Sequence, residues 1–226
     1  MMADVVQNLA EIRGKIRESA LRANRNPGEI TLIAVTKYVD VARIEEAIAA
    51  GVGHIAENRV QEGVRKFPLL SGNVVKHLIG TLQTNKVKAA LEHFDLIHSV
   101  DRPALVEELA KQADKLQKQV KFLIQLNISG ELTKHGLSPN ELPGFMENLK
   151  AYPRLIPCGL MTMAPLTEEP ETTRPIFRRL RELFEEIAAT GDFPEWRYLS
   201  MGMSQDYPIA VEEGANLLRI GSAVFK

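Results

Sequence analysis

The sequence of 226 residues contains one cysteine, Cys158, which excludes an internal disulfide and a cluster of thiolate metal ligands. The formal net charge is only −1, so composition gives no electrostatic reason to expect nucleic acid or a membrane surface as a partner. No apolar run approaches the length of a transmembrane helix, and residues 1–10 lack a basic-then-apolar signal pattern. These absences predict a cytoplasmic protein.

Two kinds of motif are also missing. The five histidines show no His-x-x-x-His spacing and no carboxylate completes a ligand set, so we expect no metal site. A Gly-x-Gly-x-x-Gly fingerprint is absent after the first predicted strand, which disfavours a doubly wound dinucleotide-binding sheet. Cys158 stands in an apolar run typical of a strand, where a small buried hydrophobic residue is a better interpretation than a nucleophile.

The chain does contain a regular alternation of predicted strands and helices. Residues 3–23 form the first predicted helix, because apolar residues recur there at intervals of three and four. The predicted strands are 31–37, 53–57, 75–80, 96–100, 121–127, 156–161, 197–202 and 217–221. The helices predicted between them are 41–50, 58–67, 84–93, 103–119 with Asp101 as its cap, 139–151, 173–189 and 205–213.

Eight strands, of which all but the last precede a helix, predict an α/β fold, a single (β/α)8 TIM barrel. The last predicted strand lies close to Lys226, and we expect the N-terminal helix to cover the gap where an eighth helix would pack. An open doubly wound sheet is the alternative. Without an internal repeat or a linker, residues 1–226 are interpreted as one domain.

Lys37 ends the first predicted strand, Thr31-Leu32-Ile33-Ala34-Val35-Thr36-Lys37. A buried ammonium is costly, and such a site favours the neutral amine, which condenses with aldehydes to give a Schiff base. The alternative interpretation is a lysine whose stem packs and whose charged end lies in water.

The last two strands of the predicted barrel are followed by loops that resemble a phosphate site. In TIM barrels, phosphate is frequently bound by these loops and the N-terminus of a short helix. Ser200-Met201-Gly202-Met203-Ser204 follows the seventh strand, with Ser204 as the predicted N-cap of the next helix, and Gly221-Ser222 follows the eighth. A capping serine and a turn glycine would explain either loop alone, but their joint occurrence favours a phosphate.

Arg219 stands in the apolar run Leu217-Leu218-Arg219-Ile220-Gly221, which predicts a buried guanidinium that needs an acceptor. A salt bridge to Glu57 or Asp206 is one interpretation, and an acceptor atom on a ligand is the other. A lysine nucleophile, a phosphate site and a cation near a ring nitrogen together match the groups of pyridoxal 5′-phosphate.

The motifs also carry a resemblance to a known family. The chain resembles the pyridoxal phosphate homeostasis protein family, whose members look like the barrel half of alanine racemase without its second domain. The resemblance rests on five segments: Ile33-Ala34-Val35-Thr36-Lys37, Glu57-Asn58-Arg59-Val60-Gln61-Glu62, residues 77–86 (HLIGTLQTNK), Leu199-Ser200-Met201-Gly202-Met203-Ser204 and residues 219–225 (RIGSAVF).

The resemblance implies a role for each candidate residue. Lys37 would carry the cofactor as a Schiff base, and Arg219 would face its pyridine nitrogen. The phosphate would be bound by Ser204, Gly221 and Ser222, with the Met203 backbone and Ser200 nearby, while Asn58 and His77 would line the ring pocket.

Three functional hypotheses follow. The first is a carrier that binds pyridoxal phosphate reversibly, buffers it or delivers it to apo-enzymes that depend on it, and acts as a monomer without nucleic acid or membrane partners. The second is an amino-acid racemase, which needs a proton donor on each face of the cofactor. Tyr38 is the tyrosine nearest to Lys37, but it is expected to point to the other side of the strand. The third is a barrel scaffold that uses the lysines of residues 111–121 as a contact surface.

Overall fold

The computed structural model describes residues 4–131 and 133–226, and within them eight parallel strands close a barrel in chain order. The strands are β1 (Thr31–Val35), β2 (His54–Glu57), β3 (Val75–Leu78), β4 (Leu96–Val100), β5 (Val120–Gln125), β6 (Leu155–Met161), β7 (Tyr198–Ser200) and β8 (Leu217–Ile220). β1 pairs with both β2 and β8, so the sheet has no free edge. The predicted TIM barrel is confirmed.

Helices cover the outside of this barrel. They are α1 (Val5–Arg22), α2 (Val41–Ala49), α3 (Val60–Lys66), α4 (Val87–His93), α5 (Pro103–Leu116), α6 (Leu142–Leu149), α7 (Arg174–Ala188), α8 (Tyr207–Glu212) and α9 (Ser222–Phe225). Most of the buried apolar residues lie between helices and strands, and a smaller cluster, including Ile33, Leu123 and Met161, fills the barrel interior. Among the described residues, no helix is long and apolar enough to cross a bilayer.

The N-terminal helix has the role that the sequence predicts. The carboxylate of Asp4 caps α1 by accepting hydrogen bonds from the Val6 and Gln7 amides, and α1 packs against α8 and α9. Its Asn8 side chain donates to the carbonyl oxygen of Val224 at 3.0 Å. The extra helix therefore closes the barrel's outer layer beside the last strand, as expected, although Ala3, its predicted first residue, lies outside the described residues.

Several element ends differ from the predicted ones, and the first two of the following three affect the site. β1 ends at Val35, so Lys37 lies in the turn beyond the strand. α8 begins after Asp206, which takes the N-cap position predicted for Ser204. Arg102, not Asp101, is the N-cap of α5, and the Asp101 carboxylate instead accepts a hydrogen bond from the Arg102 guanidinium.

Candidate functional site

A cavity of about 980 Å³ opens at the carboxyl ends of the strands, where TIM barrels carry their active sites. Seven of the nine residues proposed from the sequence line it: Lys37, Asn58, Met203, Ser204, Arg219, Gly221 and Ser222. The other two, His77 and Ser200, are buried beneath it inside the barrel. The structure therefore brings most of the proposed residues to one place and separates two from the wall.

Lys37 lies at the wall of this cavity, but it is not buried. Its side chain is exposed, because the chain has left the sheet and entered a turn. Of the two interpretations of Lys37, the desolvated lysine does not agree with the structure, since the apolar run made the strand look two residues longer than it is. The interpretation that agrees with the structure is a lysine whose amine lies in water.

Immediately before Lys37, Thr36 is fully buried and firmly held. Its amide donates to the carbonyl oxygen of Ala56 at 2.9 Å, and its hydroxyl donates to Glu57 Oε1 at 2.7 Å. Lys66 of α3 lies behind it, with Nζ 2.9 Å from the Thr36 carbonyl oxygen and 2.8 Å from Glu57 Oε1. The buried Lys66–Glu57 pair was not predicted from the sequence. It holds Thr36, the residue before the turn that carries Lys37.

The two loops proposed as a phosphate site do meet. The Ser204 hydroxyl accepts a hydrogen bond of 3.3 Å from the amide of Ala223, at the start of α9. Gly221 packs closely against the end of β1, since a Cβ atom there would lie 3.2 Å from both Val35 Cβ and the Val35 carbonyl oxygen. The loops after β7 and β8 thus form a continuous wall of hydroxyl and backbone groups beside Lys37.

Met203 differs from the expectation. Its amide donates to Asp206 Oδ1 at 2.6 Å, so it is already engaged within the loop and is not available to an anion in this arrangement. Asp206 itself is buried, and burial raises the pKa of its carboxyl group. The Asp206 carboxylate therefore stabilises the loop, and the Met203 amide is not left unpaired.

Arg219 is almost completely buried, at 3% exposure, yet it reaches the cavity wall. Its Nη1 donates to Ser200 Oγ at 2.6 Å and its Nη2 to the Thr162 carbonyl oxygen at 2.8 Å. Among the described residues no carboxylate lies within salt-bridge distance, because Glu57 pairs with Lys66 and Asp206 binds Met203. Burial lowers the pKa of Arg219 to about 10, so the guanidinium stays charged near neutral pH.

His77 belongs to a chain of buried polar groups below Arg219. Its Nε2 lies 3.0 Å from His54 Nδ1, and its Nδ1 lies 2.9 Å from His98 Nε2. His98 Nδ1 lies in turn 3.0 Å from Ser200 Oγ. Burial lowers the pKa of His77 to about 3 and that of His98 well below its ordinary value.

The sequence held one signal for this histidine chain. The separations of 23 residues from His54 to His77 and of 21 from His77 to His98 each match one strand–helix unit. Residues at such spacing on consecutive strands can share the barrel interior.

Two further residues at the cavity bear on its chemistry. Asn58 Oδ1 is buried and has no hydrogen-bond partner within the described residues, so it can accept a bond from a ligand donor. Tyr38 also lines the cavity, 94% exposed, with a left-handed backbone at φ = 64°. Tyr38 follows the strand and occupies a turn, so strand alternation does not determine the direction of its side chain.

Within residues 4–131 and 133–226, no group of three or more His, Cys, Asp or Glu side chains is placed to hold a metal ion. Cys158 is buried inside the barrel, and burial raises the pKa of its thiol, in agreement with a packing role.

Comparisons with known proteins point to one family. Residues 7–226 match the family model described as alanine racemase, N-terminal domain. The pyridoxal phosphate homeostasis protein of Pseudomonas aeruginosa is 37% identical over 99% of this chain and 96% of its own length. That of Aquifex aeolicus is 39% identical over 97% and 96% of the two chains.

Solved structures agree. PipY of Synechococcus elongatus with pyridoxal phosphate bound superposes with a TM-score of 0.84 at 36% identity, covering 98% of this chain and all of PipY. Alanine racemase of Corynebacterium glutamicum, at 15% identity and a TM-score of 0.71, shares the fold over 97% of this chain and 60% of its own. Since the barrel fold and the curated relatives agree, the chain belongs to the pyridoxal phosphate homeostasis protein family.

Proposed function

We propose that the chain is a single barrel domain that binds pyridoxal 5′-phosphate and serves in the homeostasis of this cofactor, affecting amino-acid and keto-acid metabolism indirectly. The names of its relatives and the bound cofactor of PipY support this. The observation that carries the proposal is Arg219, a buried guanidinium that faces the cavity without a carboxylate partner among the described residues.

The residues at the cavity fit the three ends of this cofactor. An exposed amine at Lys37 can attach an aldehyde covalently, and the hydroxyls of Ser204 and Ser222 can donate to a phosphate. Gly221 lets the chain pass close to β1, and Asn58 Oδ1 is an acceptor without a partner among the described residues. A cavity of about 980 Å³ has ample room for a molecule of this size.

Each residue then has a defined task. When bound, the cofactor supplies an aldehyde for attachment and a conjugated ring that can delocalise electrons. Lys37 would hold the aldehyde end, the Ser204 and Ser222 hydroxyls would hold the phosphate, and Arg219 would face the ring nitrogen as a hydrogen-bond donor. Because a guanidinium can only donate, Arg219 would keep that nitrogen unprotonated and so weaken the ring as an electron sink.

This arrangement favours a carrier over a catalyst. A racemase needs acid–base groups on both faces of the cofactor and a strong electron sink, and Arg219 opposes the second requirement. The racemase alternative retains one supporting observation, the position of Tyr38 beside Lys37 at the cavity mouth. We therefore propose a monomeric carrier that passes the cofactor to apo-enzymes and place it in the cytoplasm.

Titration of the purified protein with pyridoxal phosphate tests the proposal. We expect a new visible absorption band that saturates at one equivalent and survives dialysis, with no exchange of the alanine Cα proton in heavy water. Absence of binding would contradict the cofactor assignment. Rapid exchange that is lost in Tyr38→Phe, a variant that keeps the ring, would favour the racemase.

A further inference from the structure

The buried histidine chain crosses the barrel from the cavity at its carboxyl end toward its amino end. His54 opposes Val75 in the sheet, two residues before His77, and His77 opposes Leu96, two residues before His98. Residues two apart on a strand face the same side. The three rings therefore follow one another along the barrel interior, each displaced by two residues toward the carboxyl end. Ser200 and Arg219 repeat this relationship, since Ser200 opposes Leu217.

The hydrogen bonds in this chain have a defined direction. A guanidinium only donates, so Ser200 Oγ accepts from Arg219 Nη1. The hydroxyl hydrogen of Ser200 then needs its own acceptor, and His98 Nδ1 at 3.0 Å is the one that the described residues provide. The reverse direction would leave a buried hydroxyl hydrogen without a partner.

This direction fixes the position of the proton on each ring. If His98 Nδ1 accepts, the proton of neutral His98 is on Nε2, which donates to His77 Nδ1. By the same step His77 Nε2 donates to His54 Nδ1. Protonation of His77 or His98 would place a second N–H group against this order. Burial disfavours it at both rings, and the positive charge of Arg219 disfavours it further at His98.

His54 is the end of the chain that meets solvent. It is half-buried and lines a second cavity at the amino ends of β1 and β2, which Arg13 and Arg17 also line. Arg13 is bound to the carbonyl oxygens of Ala50 and Gly51. A substitution at His54 can therefore interrupt the chain without opening the barrel core.

We propose that His98, His77 and His54 are positioning residues for Arg219: neutral, with the proton on Nε2, they orient the Ser200 hydroxyl so that it accepts from the guanidinium. The Thr162 carbonyl oxygen fixes the second amino group, at 2.8 Å. The guanidinium is thereby held in one orientation at the cavity wall. The identity of the ligand at Arg219 rests on the proposed function. The direction of the hydrogen bonds through the three histidines does not.

The first experiment is ¹⁵N NMR of the imidazole side chains in the protein without added cofactor. We expect all three rings to be neutral near pH 7 with the proton on Nε2, and His77 and His98 to remain neutral at about pH 5. A proton on Nδ1 of His77 or His98, or a charged ring at either position, would overturn the proposal whether or not the protein binds pyridoxal phosphate.

The second experiment compares substitutions at His98. In His98→Gln the amide can still accept from Ser200 and donate to His77, whereas His98→Leu fills the space without hydrogen bonds. We expect separate Nη–H signals of Arg219 in the native protein and in His98→Gln, and averaged signals in His98→Leu because the guanidinium can rotate. Unchanged Arg219 signals in His98→Leu would overturn the positioning role.

His54→Leu keeps the test decisive if His98→Leu does not fold. Removing the last acceptor should give His77 and His98 a mixture of both tautomers, although His98 is two rings away. A packing defect at His54 alone would leave His98 unchanged, which would contradict the proposal.

The cofactor arm measures the dissociation rate of pyridoxal phosphate from the same variants. We expect it to rise about three- to tenfold in His98→Leu, the equivalent of one hydrogen bond, and to recover in His98→Gln. If the native protein binds no cofactor, the proposed function fails, but the NMR result still tests the proton positions on the three histidines. If binding is intact and dissociation does not rise in His98→Leu, the positioning role fails alone.

Discussion

Lys66 Nζ lies 2.8 Å from Glu57 Oε1, and the two side chains are only 2% and 1% exposed. The same ammonium group donates to the carbonyl oxygen of Thr36, the residue before Lys37. Because α3 is thereby tied to the end of β1, the turn that presents Lys37 at the cavity has a rigid base. The pair illustrates how a residue remote from the ligand can determine the geometry of the site.

Removal of one partner from this pair should be severely destabilising. Lys66→Met leaves the Glu57 carboxylate buried and unpaired, and we expect a loss of about 3–5 kcal/mol in the free energy of unfolding, measured with urea. The double variant Lys66→Met with Glu57→Gln removes both charges and should regain most of that loss. A double variant no more stable than Lys66→Met would contradict this account.

The close approach of Gly221 to β1 gives a second prediction. In Gly221→Ala the new Cβ would lie 3.2 Å from Val35 Cβ and from the Val35 carbonyl oxygen, so the loop after β8 must shift. We expect weaker binding of pyridoxal phosphate, by about tenfold, in an absorption titration.

Gly14→Ala is the matched control for Gly221→Ala. Gly14 lies within α1, and an alanine methyl group there would meet no neighbouring atom within 4 Å. Alanine should therefore stabilise the helix by about 0.5–1 kcal/mol and leave cofactor affinity unchanged. Equal affinities in the two variants would indicate that the β8 loop does not contact the ligand.

The buried histidines predict how stability depends on pH. The pKa of His77 is about 3 in the folded protein against 6.5 ordinarily, so between these values the unfolded chain binds more protons. Stability should therefore be fully present above about pH 6.5 and fall as the pH decreases toward about 3, by up to about 1.4 kcal/mol per pH unit from His77. His98 contributes in the same direction.

Urea unfolding at several pH values measures this dependence. His77→Gln should show a shallower decrease than the native protein. Identical slopes in the two proteins would mean that His77 is charged or exposed in the folded state.

Removal of the negative charge of Asp206 should strengthen cofactor binding, in contrast to Gly221→Ala. Its carboxylate accepts from the Met203 amide and lines the cavity, where its charge opposes a phosphate. Asp206→Asn keeps the acceptor oxygen and removes the charge, so we expect tighter cofactor binding, by about three- to tenfold. In Asp206→Ala the hydrogen bond to the Met203 amide is lost, so the titration should show weaker binding. Weaker binding in Asp206→Asn would refute the electrostatic argument.

Sequence periodicity was sufficient for the fold and for the cavity. Strands buried on both faces read as apolar runs, and their alternation with amphipathic helices admits few topologies, so the barrel brings Lys37, Ser204, Gly221 and Arg219 to one end. The exposure of Lys37 was not predictable in this way. An apolar run does not reveal where the sheet hydrogen bonds stop, and here they stop at Val35.

Contacts that depend on register were also out of reach. The histidine chain requires the stagger between neighbouring strands, and the Lys66–Glu57 pair requires the angle at which α3 returns to the sheet. Strand alternation does not apply to Tyr38, because this residue lies in a turn and has a left-handed backbone. Side-chain partners of this kind are set by tertiary geometry rather than by local pattern.

We propose that the amine of Lys37 holds the cofactor at the site formed by the last two loops. Borohydride reduction of the protein saturated with pyridoxal phosphate, followed by peptide mapping, tests it most directly, with Lys37→Arg and the exposed Lys88→Arg as matched variants. We expect one labelled lysine, Lys37, in the native protein and in Lys88→Arg, and no label in Lys37→Arg. Label at a different lysine in the native protein, or undiminished label in Lys37→Arg, would contradict it.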